Sequence, residues 1–491
     1  MKNDIRPPDL GKKTVLLAFI LILLFSFFVR SFSFFLQHWQ GDQSQYVALA
    51  MKLKEQGLRG YNLTQMEIRR MIFTQYPDWQ FMYPVLLKEG VEGDFFKAYE
   101  RFGLEFNNMP LYYKSPLFPA TLALSHRLFA PPNQPFVVVK TNMNETHKVY
   151  YDLFFVKTQF WAVIVPLLSN LLVIVLTFFF ARKLFDSRTA LLAMLLMSLH
   201  PIGIVTSYKV LADDFVSFFV IAALFLFYLA NEKKSLSWAL TAGVTAGFAF
   251  LAKQSAVLIL PTAGLFLLLT GEKKWFDPRA WRAVLTNRTF LFFVFGSVFI
   301  SAHWFVKIYQ TYGNPFYQPS PFQMSEEDKT GWFGILSLRP HVLMLFVLNI
   351  PYLCPPFIFG HLTFKDFVRS VWKRTLKALP PAGEERSVLF LWAWVLPFLL
   401  FFVFRIESKE ERYLLPVYPA LAVLSAVGLL KFSRWLSARF NRATVNWSVA
   451  VLLLLTTAWS VPIAMETVFH ERFLILQPAK DFLSFYRIIQ R

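Results

Sequence analysis

Arg30, Asp42, Asp213 with Asp214, Lys253 and the run 405–412, which ends in Arg412 before Tyr413, all stand at the edges of strongly apolar segments. Carboxylates can take a proton, while ammonium and guanidinium groups can neutralise an anion. Each charge would cost on the order of 2.5–3.5 kcal/mol at mid-membrane unless it faces a polar cavity or snorkels to the headgroups. Snorkelling alone accounts for any one of them. Their convergence on one side, with both signs present, argues for a shared polar site. Simpler readings compete at single positions. Asp42 is a favoured N-cap for a helix starting near Ser44, and Asp213 and Asp214 suit the dipole of a helix starting at Phe215. His303 and Trp304 read as interfacial anchors.

The composition says what must position these groups. Of 491 residues, 56% are hydrophobic and only 16% charged, with 57 Phe, and the mean hydropathy is +0.44. A soluble domain carries about 25% charged residues, so the chain reads as an all-α polytopic membrane protein. The excess of 50 Lys and Arg over 31 Asp and Glu (50 − 31 = +19) is scattered between apolar runs. A nucleic-acid binder would gather it in one stripe. The single cysteine, Cys354, excludes an intrachain disulfide and a cysteine-rich metal site.

About eleven spans follow from apolar runs near 15–36, 158–181, 190–205, 215–230, 236–251, 256–269, 289–308, 341–360, 388–404, 414–430 and 449–461. The first, preceded by Lys2, Arg6, Lys12 and Lys13, is read as an uncleaved span with a cytoplasmic N-terminus. Basic clusters at 182–188, 233–234, 273–288, 365–374 and 431–442 then fall on alternate connections, on the N-terminal side. One orientation satisfies them all. It requires that 116–130, bounded by prolines and containing Ser125, His126 and Arg127, lie in the interface rather than cross. The expected layout is a cytoplasmic N-terminus and first span (1–36), a long helical first outer loop (37–157), a transmembrane catalytic module (158–308), an outer loop (309–340), C-terminal spans (341–465) and an outer amphipathic tail (466–491).

Several motifs carry a family resemblance. Arg30 at the end of the first span is followed by Gly41-Asp42-Gln43-Ser44-Gln45-Tyr46 and an amphipathic stretch. Further on stand Lys114-Ser115-Pro116-Leu117-Phe118-Pro119, Val210-Leu211-Ala212-Asp213-Asp214, the glycine-containing span of Gly243 and Gly247 that ends in Lys253, Tyr312-Gly313-Asn314-Pro315, and Arg412-Tyr413-Leu414-Leu415-Pro416. In order and spacing these resemble the GT-C class of lipid-phosphate-sugar-dependent glycosyltransferases, the group of the protein O-mannosyltransferases and the lipid A aminoarabinose transferases. One departure stands out: where many relatives have an Asp-Glu pair, Gln43 follows Asp42. Glu55, Glu67, Asp94 and Glu105 in the same loop are candidates to replace the second carboxylate.

The resemblance implies a GT-C-like fold and a hexosyl or pentosyl transferase using a polyprenyl-phosphate-sugar donor at a non-cytoplasmic surface, with a bacterial inner membrane as the expected location. Asp42 would be the base of a single inverting displacement; Lys253, Arg30 and Arg412 would bind the donor phosphate; Tyr46, Asp213, Asp214 and Tyr413 would contact substrate. The sequence shows no dense metal-ligand cluster, and a divalent cation is left open, as are the sugar and the acceptor, which is a lipid, a glycan or a protein. A transporter or lipid flippase is the alternative from another class. It should place charges near mid-bilayer and often shows a repeat; no repeat is apparent, and these charges cluster at one face.

Overall fold

The computed structural model describes residues 10–31, 42–64, 67, 110–130, 160–315, 351, 354–376, 381, 383–404 and 411–469. These residues form helices throughout, with one antiparallel bridge between Thr64 and Pro110. In chain order they are α1 (Lys12–Ser31), α2 (Asp42–Gln56), α3 (Leu117–Phe129), α4 (Phe160–Leu184), α5 (Ser187–Leu199), α6 (Pro201–Thr206), α7 (Ala212–Lys233), α8 (Leu236–Ala252), α9 (Ile259–Thr270), α10 (Pro278–Leu285), α11 (Arg288–Tyr312), α12 (Gly360–Leu376), α13 (Gly383–Phe404), α14 (Tyr418–Ser437) and α15 (Arg442–Phe469). Among the described residues seven helical segments are long and apolar enough to cross a membrane, and three further apolar helical segments are shorter. The chain is an integral membrane protein.

Turns at one end of the bundle are fixed by side-chain caps. Asp186 accepts from Thr189 N at 2.7 Å, Asp277 from Arg279 N at 2.8 Å and Asn287 from Phe290 N at 3.0 Å. Each supplies an acceptor to an otherwise unpaired amide of a first helical turn. This is the basic end. The opposite end carries Asp213, Lys253 and Arg412, and there the helices break differently. Pro201 starts the short α6 straight after α5, so the run read as one span at 190–205 is two helices. Lys253 is a single extended residue between α8 and the 3-10 helix Gln254–Leu258.

Small residues let α8 and α11 approach closely. A Cβ on Gly247 would stand 2.6 Å from Ile300 Cβ and 2.9 Å from Ser297 O, and one on Gly296 would stand 2.8 Å from Leu240 O. Gly243 faces the Phe293 carbonyl in the same seam. Small residues at such contacts replace the hydrophobic drive that lipid cannot supply.

Two expectations change. The basic residues at 365–374, read as a connection, lie on α12, because nothing between Gly360 and Leu376 breaks a helix and Lys and Arg are good helix formers. Trp304 is buried beneath aromatics of the segment between α1 and α4 rather than anchored at an interface: its ring meets Tyr61 at 5.0 Å and Tyr112 at 5.9 Å, while His303 beside it is exposed. The expected segments 70–109, 131–157, 316–340 and 470–491 lie outside the described residues.

Candidate functional site

The single-residue break at Lys253 aims its side chain across the bundle end. Lys253 Nζ donates to Asp213 Oδ1 at 2.6 Å, and Arg412 Nη1 stands 3.6 Å from Asp213 Oδ2. Asp213 belongs to the first turn of α7, whereas Arg412 lies on the 3-10 helix Glu411–Val417 that leads into α14. Tyr413 completes the group: Lys253 Nζ lies 4.7 Å and the Arg412 guanidinium 5.2 Å from its ring centroid. The Tyr413 ring in turn stacks on Phe402 of α13, with centroids 6.1 Å apart and planes 8° from parallel. Four of the sequence-derived site residues thus meet. Asp213 is buried, and the Lys253 and Arg412 side chains keep 21% and 16% exposure. Two cations thus meet on one carboxylate and keep a partly open face. That arrangement suits an anion.

Arg30 and Asp214 form a second, fully enclosed network behind the first. Arg30 Nε donates to Asn170 Oδ1 at 2.7 Å, and Asn170 Nδ2 donates to Asp214 Oδ1 at 2.6 Å and to Gly203 O at 3.0 Å. The other guanidinium nitrogens donate to the Ser26, Ser198 and Met197 carbonyls. Arg30 is 0% exposed. The structure therefore places Arg30 and Asp214 in this relay and not beside Lys253. Asn170 was not singled out from sequence, although a lone amide inside the apolar segment 160–184 is a signal of this kind.

The segments between α1 and α4 dock onto the same end. Asp42 is the first residue of α2, and its side chain lies outside what is described. Its neighbour Gln43 is buried and accepts from Val210 N at 2.8 Å, three residues before Asp213. The residue that departs from the family pattern thus pins the start of α2 to the approach to α7. One turn on, Tyr46 packs edge-on against Phe118 of α3 at 5.1 Å, and Phe118 meets Phe215 of α7 at 5.4 Å. Lys114 Nζ lies 4.9 Å from the Tyr46 centroid. Ser115 Oγ donates to Phe250 O at 3.2 Å and Gln254 Nε2 to Tyr113 O at 3.4 Å, which ties residues 113–115 to the two sides of Lys253. On α3, burial and then the Lys54 charge lower the His126 pKa, and its ring meets Trp161 at 4.7 Å.

Of the other carboxylates considered for the first outer loop, Glu55 pairs with Lys52 at 3.9 Å on an exposed face. Glu67 accepts from Thr64 N at 2.7 Å as a local cap. Asp94 and Glu105 lie outside the described residues. Among the described residues no group of three His, Cys, Asp or Glu is placed to hold a metal ion.

The family described as dolichyl-phosphate-mannose-protein mannosyltransferase matches residues 148–298, the stretch that carries Asn170, Asp213, Asp214 and Lys253. An uncharacterized protein of Aquifex aeolicus is 27% identical over 257 residues, 51% of this chain and 45% of its own length, so the alignment spans under half of that relative. ArnT from Cupriavidus metallidurans, solved bound to undecaprenyl phosphate, superposes with a TM-score of 0.51 at 16% identity, covering 94% of this chain and 76% of that one. The oligosaccharyltransferase AglB from Archaeoglobus fulgidus, solved with an inhibitory peptide and a dolichol-phosphate, gives 0.54 at 13% identity, covering 92% and 56%. At these identities the likeness is one of fold. The chain is a polytopic membrane protein that shares the helical fold of ArnT and AglB, the architecture its motifs led one to expect.

Proposed function

We propose that this chain is a membrane glycosyltransferase that moves a sugar from a polyprenyl phosphate to an acceptor at the Asp213 end of the bundle. The observation that carries the reading is the meeting of Lys253 and Arg412 on one carboxylate at span ends, with both cations partly exposed. A lipid phosphate is confined to such a surface, and the two solved proteins that share the fold were captured with polyprenyl phosphates.

In this reading the acceptor oxygen attacks the anomeric carbon as the bond from that carbon to the phosphate oxygen breaks. The electron pair leaves on the phosphate, which Lys253 and Arg412 neutralise. The acceptor proton passes to Asp42, and the configuration inverts in one displacement. A phosphate leaves as a stabilised anion without an acid, so one base suffices. Tyr413 orients both cations through its ring face, and Tyr46 lines the approach from α2. Arg30 acts from behind: with its donors taken by Asn170 and carbonyls, it anchors the Asp214 turn and thereby aims Asp213.

The test is transfer from a purified polyprenyl-phosphate sugar with binding measured separately. Asp42→Asn is expected to lose about 10²–10⁴ in turnover with donor affinity kept, because an amide retains size and some capping ability but takes no proton. Lys253→Ala should weaken donor affinity by roughly tenfold to a hundredfold, as for loss of a charge-assisted contact worth about 1.5–3 kcal/mol. Lys253→Arg should restore it only in part. Near-normal turnover in Asp42→Asn removes Asp42 as base, and unchanged donor affinity in a folded Lys253→Ala removes the phosphate assignment.

A further inference from the structure

At the end of the bundle opposite Asp213, α10 presents three stripes. Ala280 and Val284 are buried against the bundle, Trp281 and Leu285 are 53% and 63% exposed, and Arg279 and Arg282 project from the remaining face. Residues 272–288 carry five basic side chains against two carboxylates (5 − 2 = +3), and one of the two, Asp277, is committed to the N-cap of α10. The turn before α10 is clamped to α12: Trp275 Nε1 donates to Thr375 Oγ1 at 3.0 Å, and Arg374 Nη2 donates to Gly271 O. The clamp joins Lys274, Arg279 and Arg282 to the exposed Lys373 and Trp372 of α12 in one cationic, aromatic platform.

None of these four cations takes part in an ion pair among the described residues, whereas Lys183 and Lys431 elsewhere at the same end are paired with Glu232, and with Asp366 and Glu384. The exposed apolar stripe also continues from Leu285 onto Leu291, Phe292 and Phe295 of α11, the outward face of a membrane-length helix. The cations therefore sit where that apolar surface ends, the level of lipid phosphates rather than of open water. A short helix with an apolar stripe beside Arg and Lys has the pattern of an interfacial element, and a guanidinium matches a phosphate in geometry as well as charge.

We propose that α10 and the end of α12 form a binding platform for anionic phospholipid, with Lys274, Arg279, Arg282 and Lys373 on the headgroup phosphates and Trp281 and Trp372 at the acyl boundary. The inference is independent of the transferase reading, because it concerns the other end of the molecule and its test reads no transfer.

The full chain is placed in lipid nanodiscs of phosphatidylcholine alone or with phosphatidylglycerol, thermal unfolding is followed, and the lipid retained after extraction is identified by mass spectrometry. Phosphatidylglycerol is expected to raise the midpoint and to be retained over phosphatidylcholine. The combined K274Q, R279Q, R282Q and K373Q variant should lose that preference, by about tenfold or more in apparent affinity, while matching the wild type in phosphatidylcholine alone. A control that neutralises Lys233 and Lys234 at the same end should keep it. Equal behaviour of the two lipids, an unchanged preference in the fourfold variant, an equal loss in the control, or the same stabilisation by inorganic phosphate would each overturn the proposal.

Discussion

Asn170 shows how one neutral side chain organises two charges of opposite sign. Its carbonyl oxygen takes the Arg30 Nε hydrogen while its amide gives one to Asp214, so a single buried amide links the two side chains. Breaking a buried charged network costs about 3–5 kcal/mol because the remaining groups stay enclosed without partners. Asn170→Leu should therefore lower thermal stability by an amount in that range and also weaken donor use, since Asp213 is the residue next to Asp214. Combining it with Asp214→Leu should cost less than the sum of the two single changes, by about 1 kcal/mol or more, as for residues of one network. Strict additivity in purified protein would mean that the relay does not act as a unit. Gln43 has a comparable role at shorter range. Its amide keeps the acceptor that meets Val210 N without placing a second negative charge near Asp213, so the departure from the Asp-Glu pattern has a structural use here.

Helix content and approximate span positions were legible because apolar runs must be helical in lipid to satisfy their own backbone. The breaks were legible only in part. Lys253 stood out as a charge with no room for a loop, and the structure explains it as one extended residue between helices. The division at Pro201 was hidden inside an apolar run, although Pro at a first helical position favours a new start. The meeting of Asp213 with Arg412 was not legible from spacing, because it depends on which helices pack together. The seam between α8 and α11 carries a prediction at this scale. Gly243→Leu would drive a side chain into the Phe293 carbonyl and should cost several kcal/mol, at or above the usual 1–3 kcal/mol of overpacking, since backbone moves less readily than side chains. Gly264 in α9 is the counterexample: a Cβ there meets nothing closer than Phe290 at 3.8 Å. Gly264→Ala should be neutral or gain up to about 1 kcal/mol of helix stability. Thermal unfolding in one detergent separates the two, and equal tolerance would show that the seam is looser than its glycines imply.

For the whole molecule, the two bundle ends differ in chemistry. Capped turns and clustered basic residues gather at one end, while broken helices, the Asp213 cluster and the docked α2 and α3 gather at the other. Helix order fixes which residues share an end; the charge bias predicts that the basic end faces the cytoplasm, because basic connections are retained there. Glu272 is exposed at the basic end and Leu58, 74% exposed, follows α2 at the other. With the buried Cys354 replaced by Ala, a single cysteine at Leu58 should react with an impermeant thiol reagent on intact cells, and one at Glu272 should react only after the membrane is opened. The reverse pattern would put the Asp213 cluster in the cytoplasm. Transfer would then take place on the cytoplasmic face, and an acceptor beyond the membrane would be out of reach. The labelling therefore tests the orientation and, with it, the compartment from which the acceptor must come.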